Sequence, residues 1–390
     1  MKKSVLLLSV VGLFALGSCK KKGCTDENAV NYDSEAEKDD GSCEDLVVPS
    51  TYVFTDANGN STVSYGGQTA RMDMLSEMTT YLKTANADGA GNPGSPLDAT
   101  ILLSMYDNSY TGWSDPSLVG NGKKLKNKTA LGDAGVQAQF EAWMNEAAAA
   151  TPPTDTSYYL QAETGQEWTQ LIEKGLMSAC FASQMTGNYL ANIESDDNSV
   201  AVNSAEGKYY TEMEHHWDEA YGYFTEAVDY PTSGTDRFWG KYAYNTLETL
   251  LGSATKISQA FRTGRAAITA KLVDRAIAQK AIIQEETRKM VAGMAIHYLN
   301  KTKDYAAGNY TQNKVNHYLS EAWAFIYGIQ FCADPDMSST EVMGILVDGF
   351  SGYPSINADF EGFSNSPMSI NAVIDIIANA AGLQDVKNDL

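Results

Sequence analysis

Basic residues are scarce in this chain: 28 lysines and arginines stand against 49 aspartates and glutamates, a net charge of −21 over 390 residues. Such a surface repels phosphate backbones and anionic headgroups, which argues against nucleic acid as a partner and against electrostatic docking on a membrane. Histidine is scarcer still, at four, and there are five cysteines. Catalytic signatures are missing too. There is no His-Glu-x-x-His, no Walker loop, no Gly-x-Ser-x-Gly elbow and no dinucleotide fingerprint set between a strand and a helix. Beyond the first residues no apolar run reaches membrane length. Strand-like alternation is confined to a weak pair, Tyr52-Val53-Phe54 and Ser61-Thr62-Val63-Ser64-Tyr65, around Asn58-Gly59.

What is present begins with an export signal. Met1-Lys2-Lys3 is a positive start, Ser4 to Leu16 is apolar but short for a span, and Leu16-Gly17-Ser18-Cys19 follows. Small residues before a cysteine resemble the lipobox of bacterial lipoproteins, in which residues 1–18 are removed and Cys19 is acylated; an ordinary signal with a chance cysteine is the alternative. Removal of Lys2 and Lys3 takes the net charge to −23. Several acyl chains would then tether the protein to the membrane rather than thread it through. The expected location is the bacterial cell envelope, anchored at the outer membrane and facing the periplasm or the outside, with a transporter or other envelope protein as partner.

An oxidising compartment makes Cys24 and Cys43 a disulfide pair, closing a loop of ~18 residues worth roughly 3 kcal/mol. The loop reads Gly23-Cys24-Thr25-Asp26 through Asn31-Tyr32-Asp33 to Asp39-Asp40-Gly41-Ser42-Cys43. It resembles a short acidic module recurrent in surface and secreted bacterial proteins, which implies a polar spacer over residues 19–48. Asp26, Asp33, Asp39 and Asp40 are hard oxygen donors suited to calcium, although they lack the order of an EF-hand loop.

From residue 49 to 390 the chain reads as an all-α body. Met72, Leu75, Met78 and Leu82 make one helical stripe. Similar stretches run roughly over 135–149, 168–193, 206–228, 239–261, 273–299 and 315–332. Two strings recur within them. His215-His216-Trp217-Asp218-Glu219-Ala220-Tyr221-Gly222-Tyr223 parallels His317-Tyr318-Leu319-Ser320-Glu321-Ala322-Trp323-Ala324-Phe325, and Met185-Thr186-Gly187-Asn188-Tyr189-Leu190 parallels Met294-Ala295-Ile296-His297-Tyr298-Leu299. The spacing between strings differs only across the polar stretch 195–205. The order predicts an internal duplication: two related helical bundles, with halves at about 165–235 and 275–337.

On a helix, residues i and i+4 share a face, so His215 with Glu219 and His317 with Glu321 each offer an imidazole and a carboxylate to one point. His216 reaches Glu219 at i+3. These five residues are candidate ligands for iron or zinc; the alternative is a hydrogen-bonded lock within the core. The aromatic residues beside them, such as Trp217, Tyr221 and Trp323, are read as packing more readily than as a cofactor cage. Arg262 and Arg265, three apart in Phe261-Arg262-Thr263-Gly264-Arg265-Ala266-Ala267-Ile268, form either an anion clamp or pairs with the chain's own acids. Cys180 and Cys332 lie in apolar stretches, as buried thiols or a bridge between the halves.

With the lipobox, the helical body and the His-x-x-Glu of His216 and Glu219, the chain resembles the imelysin superfamily, whose hallmark is Gly-x-His-x-x-Glu; Glu214 stands here at the glycine position. That resemblance implies a metal at His216 and Glu219, a part in iron uptake or, in its peptidase members, hydrolysis. Lys174-Gly175-Leu176-Met177, His216 to Tyr223 and Phe261 to Ile268 are also similar to a lipoprotein family known as a domain of unknown function, over about 49–390. The expectation is a membrane-anchored lipoprotein that captures a ligand, a transition metal such as iron first. A metallopeptidase in which Glu219 activates water, and an adhesive surface protein, are the other two readings.

Overall fold

The computed structural model describes residues 20–154, 159–232, 236–303, 311–349 and 369–390. Cys19 and the signal segment therefore lie outside the described residues. The chain separates into two compact units, Met1–Val47 and Val48–Leu390.

Among its described residues the first unit has almost no apolar interior; Cys24 and Ala29 are the buried hydrophobic ones. A unit so small needs covalent closure. The Cys24–Cys43 disulfide supplies it, with Cα atoms 4.7 Å apart. Strand β1 (Lys22–Gly23) pairs in parallel with β2 (Lys38–Asp39). The aspartates shape the turns between: Asp26 accepts from the Asn28 amide at 2.9 Å, Asp39 from Gly41 at 3.0 Å and Asp40 from Ser42 at 3.0 Å. Asp33 takes the Glu35 amide and an ion pair with Lys21 at 2.9 Å.

The second unit is all-α. Helix α1 (Gly66–Lys83) buries Met72, Leu75, Met78 and Leu82 as its stripe requires. Helices α2 (Ala99–Asp107) and α3 (Ala134–Ala149) follow, each begun by an aspartate side chain that accepts from the first turn. Next comes a continuous helical run: α4 (Trp168–Leu176), π-helical turns at Met177–Ala182 and Met185–Tyr189, and α5 (Leu190–Asn192). Helix α6 (Glu212–Phe224) carries His215. Helices α7 (Phe238–Tyr242) and α8 (Glu248–Leu251) flank a third π turn, Ala243–Leu247, and α9 (Ser253–Thr269) follows. Then come α10 (Val273–Lys303), the His317-bearing α11 (Gln312–Gly328), α12 (Ser339–Gly349) and α13 (Ile370–Ala381).

Three segments differ from the periodicity. The stretch expected over 206–228 starts only at Glu212, where Thr211 and Glu214 form a reciprocal capping box, and stops at Thr225, whose backbone is extended. The stretch expected over 239–261 is cut at Gly252, whose φ of 67° suits glycine and ends α8. The expected hairpin shrinks to one antiparallel bridge, Thr55 to Ser61, closed by a turn in which Asp56 accepts from the Asn58 and Asn60 amides. Among the described residues no helix is long and apolar enough to cross a membrane.

The recurrent strings occupy matching places. Met185 to Leu190 lies in the helical run that packs on α6, and Met294 to Leu299 lies on α10, which packs on α11. In both, a string-bearing helix precedes and supports a histidine-bearing one.

Candidate functional site

The capping box fixes the start of α6 one turn before His215, so His215 and Glu219 share a face as the spacing requires. His215 Nδ1 donates to the Ser64 carbonyl at 3.1 Å, leaving Nε2 turned toward Glu219 Oε2 at 3.9 Å. Tyr210 stacks on the imidazole, centroids 4.5 Å apart. Burial holds the His215 pKa below its ordinary value, against the pull of Glu219. Behind the pair stands Tyr189 from the first string, whose hydroxyl accepts from Lys128 Nζ at 3.2 Å.

The second pair repeats this arrangement with other residues. His317 Nδ1 donates to the Glu167 carboxylate at 2.7 Å, and Nε2 faces Glu321 Oε2 at 3.6 Å. Tyr159 stacks on the ring at 4.3 Å and 11°. Tyr298, the counterpart of Tyr189, interacts with Glu321 and bonds Tyr242 through its hydroxyl at 3.1 Å. Lys174 stands 3.8 Å from Glu321 and 3.0 Å from Glu173. In both places the elements are the same: a histidine tied at Nδ1, a tyrosine lid, a carboxylate four residues on, a tyrosine behind and a lysine nearby.

The surroundings then diverge. Gln68, wholly buried on α1, donates to Glu219 Oε1 at 2.9 Å, and its own Oε1 has no partner. The second pair opens on a cleft of about 730 Å³, and Lys83, Lys241 and Lys301 join Glu167, Gln170 and Glu321 in lining it. Gln170 is 4% exposed and donates to Glu167 Oε1, yet its own Oε1 has no partner. Burial pushes the Glu321 carboxyl up, opposed by Lys174 and His317. Burial also works against the Glu173 carboxylate, but Lys174, Lys83 and Lys241 outweigh it and hold that pKa down. His297, also on the cleft wall, is pushed down to about 4 by burial and by Lys301. Sequence reasoning singled out neither Glu167, Gln170, Glu173 nor Lys174 as members of a site. The third π turn, beside Tyr242, marks the same wall, and such turns gather at functional sites.

The expected ligand set does not assemble as one centre. His215 and His317 contact different partners, and no residue is common to both sets. His216 turns to Asp196, with Nδ1 and Oδ2 at 2.7 Å, rather than to Glu219. A metal at His317 Nε2 and Glu321 Oε2 would find two donors at a suitable separation, but Glu167 is engaged at Nδ1 and Lys174 places a positive charge nearby. Among the described residues no group of three or more His, Cys, Asp or Glu is placed to hold a metal ion. Asp26, Asp33, Asp39 and Asp40 are spent on their own turns and on Lys21.

Arg262 and Arg265 do not act as one clamp. Arg265 is fully buried and bonds Glu214 at 2.8 Å, Asp218 at 2.9 Å and the Thr62 carbonyl at 2.9 Å, while Arg262 donates to the Tyr230 carbonyl at 3.2 Å. These arginines serve the chain's own polar groups. Cys180 and Cys332 are buried free thiols, each pushed up to about 12 by burial. Trp217, Tyr221, Tyr223, Phe224, Trp323 and Phe325 are core residues.

No curated protein and no solved structure matches the chain. A family described as a domain of unknown function, DUF4856, matches residues 49–147 and 133–382, which is most of the helical unit and both histidine-bearing helices. The chain belongs to the DUF4856 family.

Proposed function

We propose that this is a ligand-capture protein of the bacterial cell envelope, tethered through acylated Cys19, whose ligand occupies the cleft over His317 and Glu321. The observation that carries the reading is the contrast between two copies of one arrangement, which we take as products of an internal duplication. Gln68 donates to Glu219 at the first, whereas the second lines a cleft of about 730 Å³ that Gln170, with an amide oxygen lacking a partner, also lines. A buried polar atom without a partner costs about 1–3 kcal/mol, which a ligand that bonds it recovers. The first copy is then a lock and the second a receptor.

A transition metal, iron or zinc, is the second reading. One feature favours it: the Glu167 carboxylate fixes the tautomer of His317 and presents Nε2 beside Glu321, as outer carboxylates do for metal-bound histidines. The resemblance to imelysins favours it as well. A peptidase using Glu219 would work at the first copy rather than in the cleft, and an adhesive role leaves the cleft without use. Uptake would require a transporter or another envelope partner.

Native mass spectrometry of the full chain tests the proposal, after incubation with iron(II), zinc(II) and a pool of polar metabolites. A bound mass kept by His215→Ala and lost by His317→Ala is the expected result. A mass lost only from His215→Ala, or no bound mass from any pool, overturns it.

A further inference from the structure

Charge in the cleft is ordered by depth. Its buried end holds two carboxylates, Glu167 (0% exposed) and Glu321 (5% exposed). The one cation at that depth, Lys174, is shared, engaged at 3.0 Å by Glu173 and standing 3.8 Å from Glu321. The exposed end reverses the sign. Lys83 and Lys241 are exposed and make no ion pair among the described residues, and Lys301 lies half-buried over the Tyr298 ring at 5.5 Å. Of the acids beside them, Asp88 spends its oxygens on Asn92 and the Ala90 amide of its own turn, while Glu173, whose charge Lys83 and Lys241 also feel, is bonded by Lys174. Three lysines gathered at one mouth stand out in a chain of net charge −21. Between the two ends lie the flat Tyr159–His317 stack and the Tyr298 ring, over which Lys314 and Lys301 already stand.

We propose that the cleft takes a small zwitterion, the chemistry of amino acids and short peptides, with its ammonium at Glu321 and the Gln170 amide oxygen and its carboxylate at Lys83, Lys241 and Lys301. This rests on the cleft being the ligand site and adds the polarity of what enters it. The ammonium supplies the N–H donors that Gln170 Oε1 lacks and the positive charge that Glu321 faces. The carboxylate takes a solvated electrostatic clamp, so each end of the cleft rejects the opposite orientation. A bare divalent ion leaves the rim lysines without an anion.

Isothermal titration of the full chain with the twenty amino acids, di- and triglycine, butylamine, propionate and zinc chloride tests it. At least one zwitterion should bind about tenfold or more tighter than butylamine and propionate, the two half-molecules. Glu321→Gln should weaken the zwitterion by about tenfold or more, and Lys83→Ala/Lys241→Ala should weaken it while leaving butylamine unchanged. Circular dichroism of each variant checks folding, and the conservative Lys83→Arg/Lys241→Arg should retain binding. Zinc or propionate binding as tightly as every zwitterion, or no binding by any probe, overturns the inference. The cleft reading survives the first of those outcomes if the binding is lost in His317→Ala, and falls with the second if mass spectrometry also finds nothing.

Discussion

Replacing Arg265 by methionine would leave two carboxylates inside the body without their counterion. Arg265 and Asp218 side chains are 0% exposed and Glu214 is 7% exposed, so water cannot substitute for the guanidinium. Five donor contacts vanish, to Glu214, Asp218, Thr269 and both oxygens of Thr62. Breaking a buried pair from one side costs about 3–5 kcal/mol, a large share of the ~5–15 kcal/mol that holds a domain together. At roughly 2 °C per kcal/mol for a unit of this size, the melting temperature should fall by roughly 6–10 °C. The loss should also depend on pH. Burial pushes Asp218 up to about 6 even with Arg265 present. An acid whose pKa is raised by folding binds more protons folded than unfolded, so its contribution is present at low pH and is lost as pH rises from 3.8 through about 6. Without Arg265 that pKa rises further, and the gap between wild type and variant should be larger at pH 8 than at pH 5. Urea unfolding followed by tryptophan fluorescence at both pH values measures it, with Arg265→Met/Asp218→Asn/Glu214→Gln expected to recover part of the loss. A loss below about 1 kcal/mol, or one equal at both pH values, would refute the reading of Arg265 as the counterion of Glu214 and Asp218.

Other consequences follow from the same structure. A Cβ on Gly264 would lie 2.1 Å from the Trp217 ring, so Gly264→Ala should cost about 1–3 kcal/mol or more in urea unfolding, and an unchanged midpoint would show that the helices can separate there. His297 is pushed down to about 4, so it favours the folded state above pH 6.5 and that contribution, at most about 3 kcal/mol and reduced by its partial exposure, is lost as pH falls toward 4. His297→Gln should therefore flatten the unfolding midpoint between pH 6.5 and 4.5; an identical profile would contradict the assignment. Cys24→Ser should open the first unit, exposing Lys38 to trypsin at a dilution that leaves wild type intact.

Much of the architecture was legible in residue order. The stripe of Met72, Leu75, Met78 and Leu82 named its helix, and the spacing of Cys24 and Cys43, read with the expected export signal, named the disulfide. Periodicity could not find the break at Gly252, because apolar residues continue on both sides and only the positive φ stops the helix. The start of α6 was readable in Thr211-x-x-Glu214, a capping box hidden inside a longer amphipathic run. The repeated strings located both His–Glu pairs, and their spacing put each pair on one face. Which copy opens to a cleft depends on Gln68, Glu167 and Gln170, which come from elsewhere in the chain and carry no local signature. Arg262 and Arg265 illustrate the same limit: three residues apart on one helix, they point to different partners because only one meets Glu214 and Asp218.

The claim that one copy is a lock and the other a receptor predicts opposite responses to the same conservative change. Glu219→Gln turns the carboxylate that accepts from Gln68 into a neutral amide acceptor, and should lower the unfolding free energy by about 1 kcal/mol. Glu321→Gln removes a buried carboxylate that folding holds partly uncompensated, and should leave the ligand-free protein as stable or more stable. Paired urea titrations of the two variants against wild type, at pH 7.5 and without ligand, give that comparison directly. Loss from Glu219→Gln with none from Glu321→Gln is the predicted result; equal losses, or a loss confined to Glu321→Gln, would contradict the account.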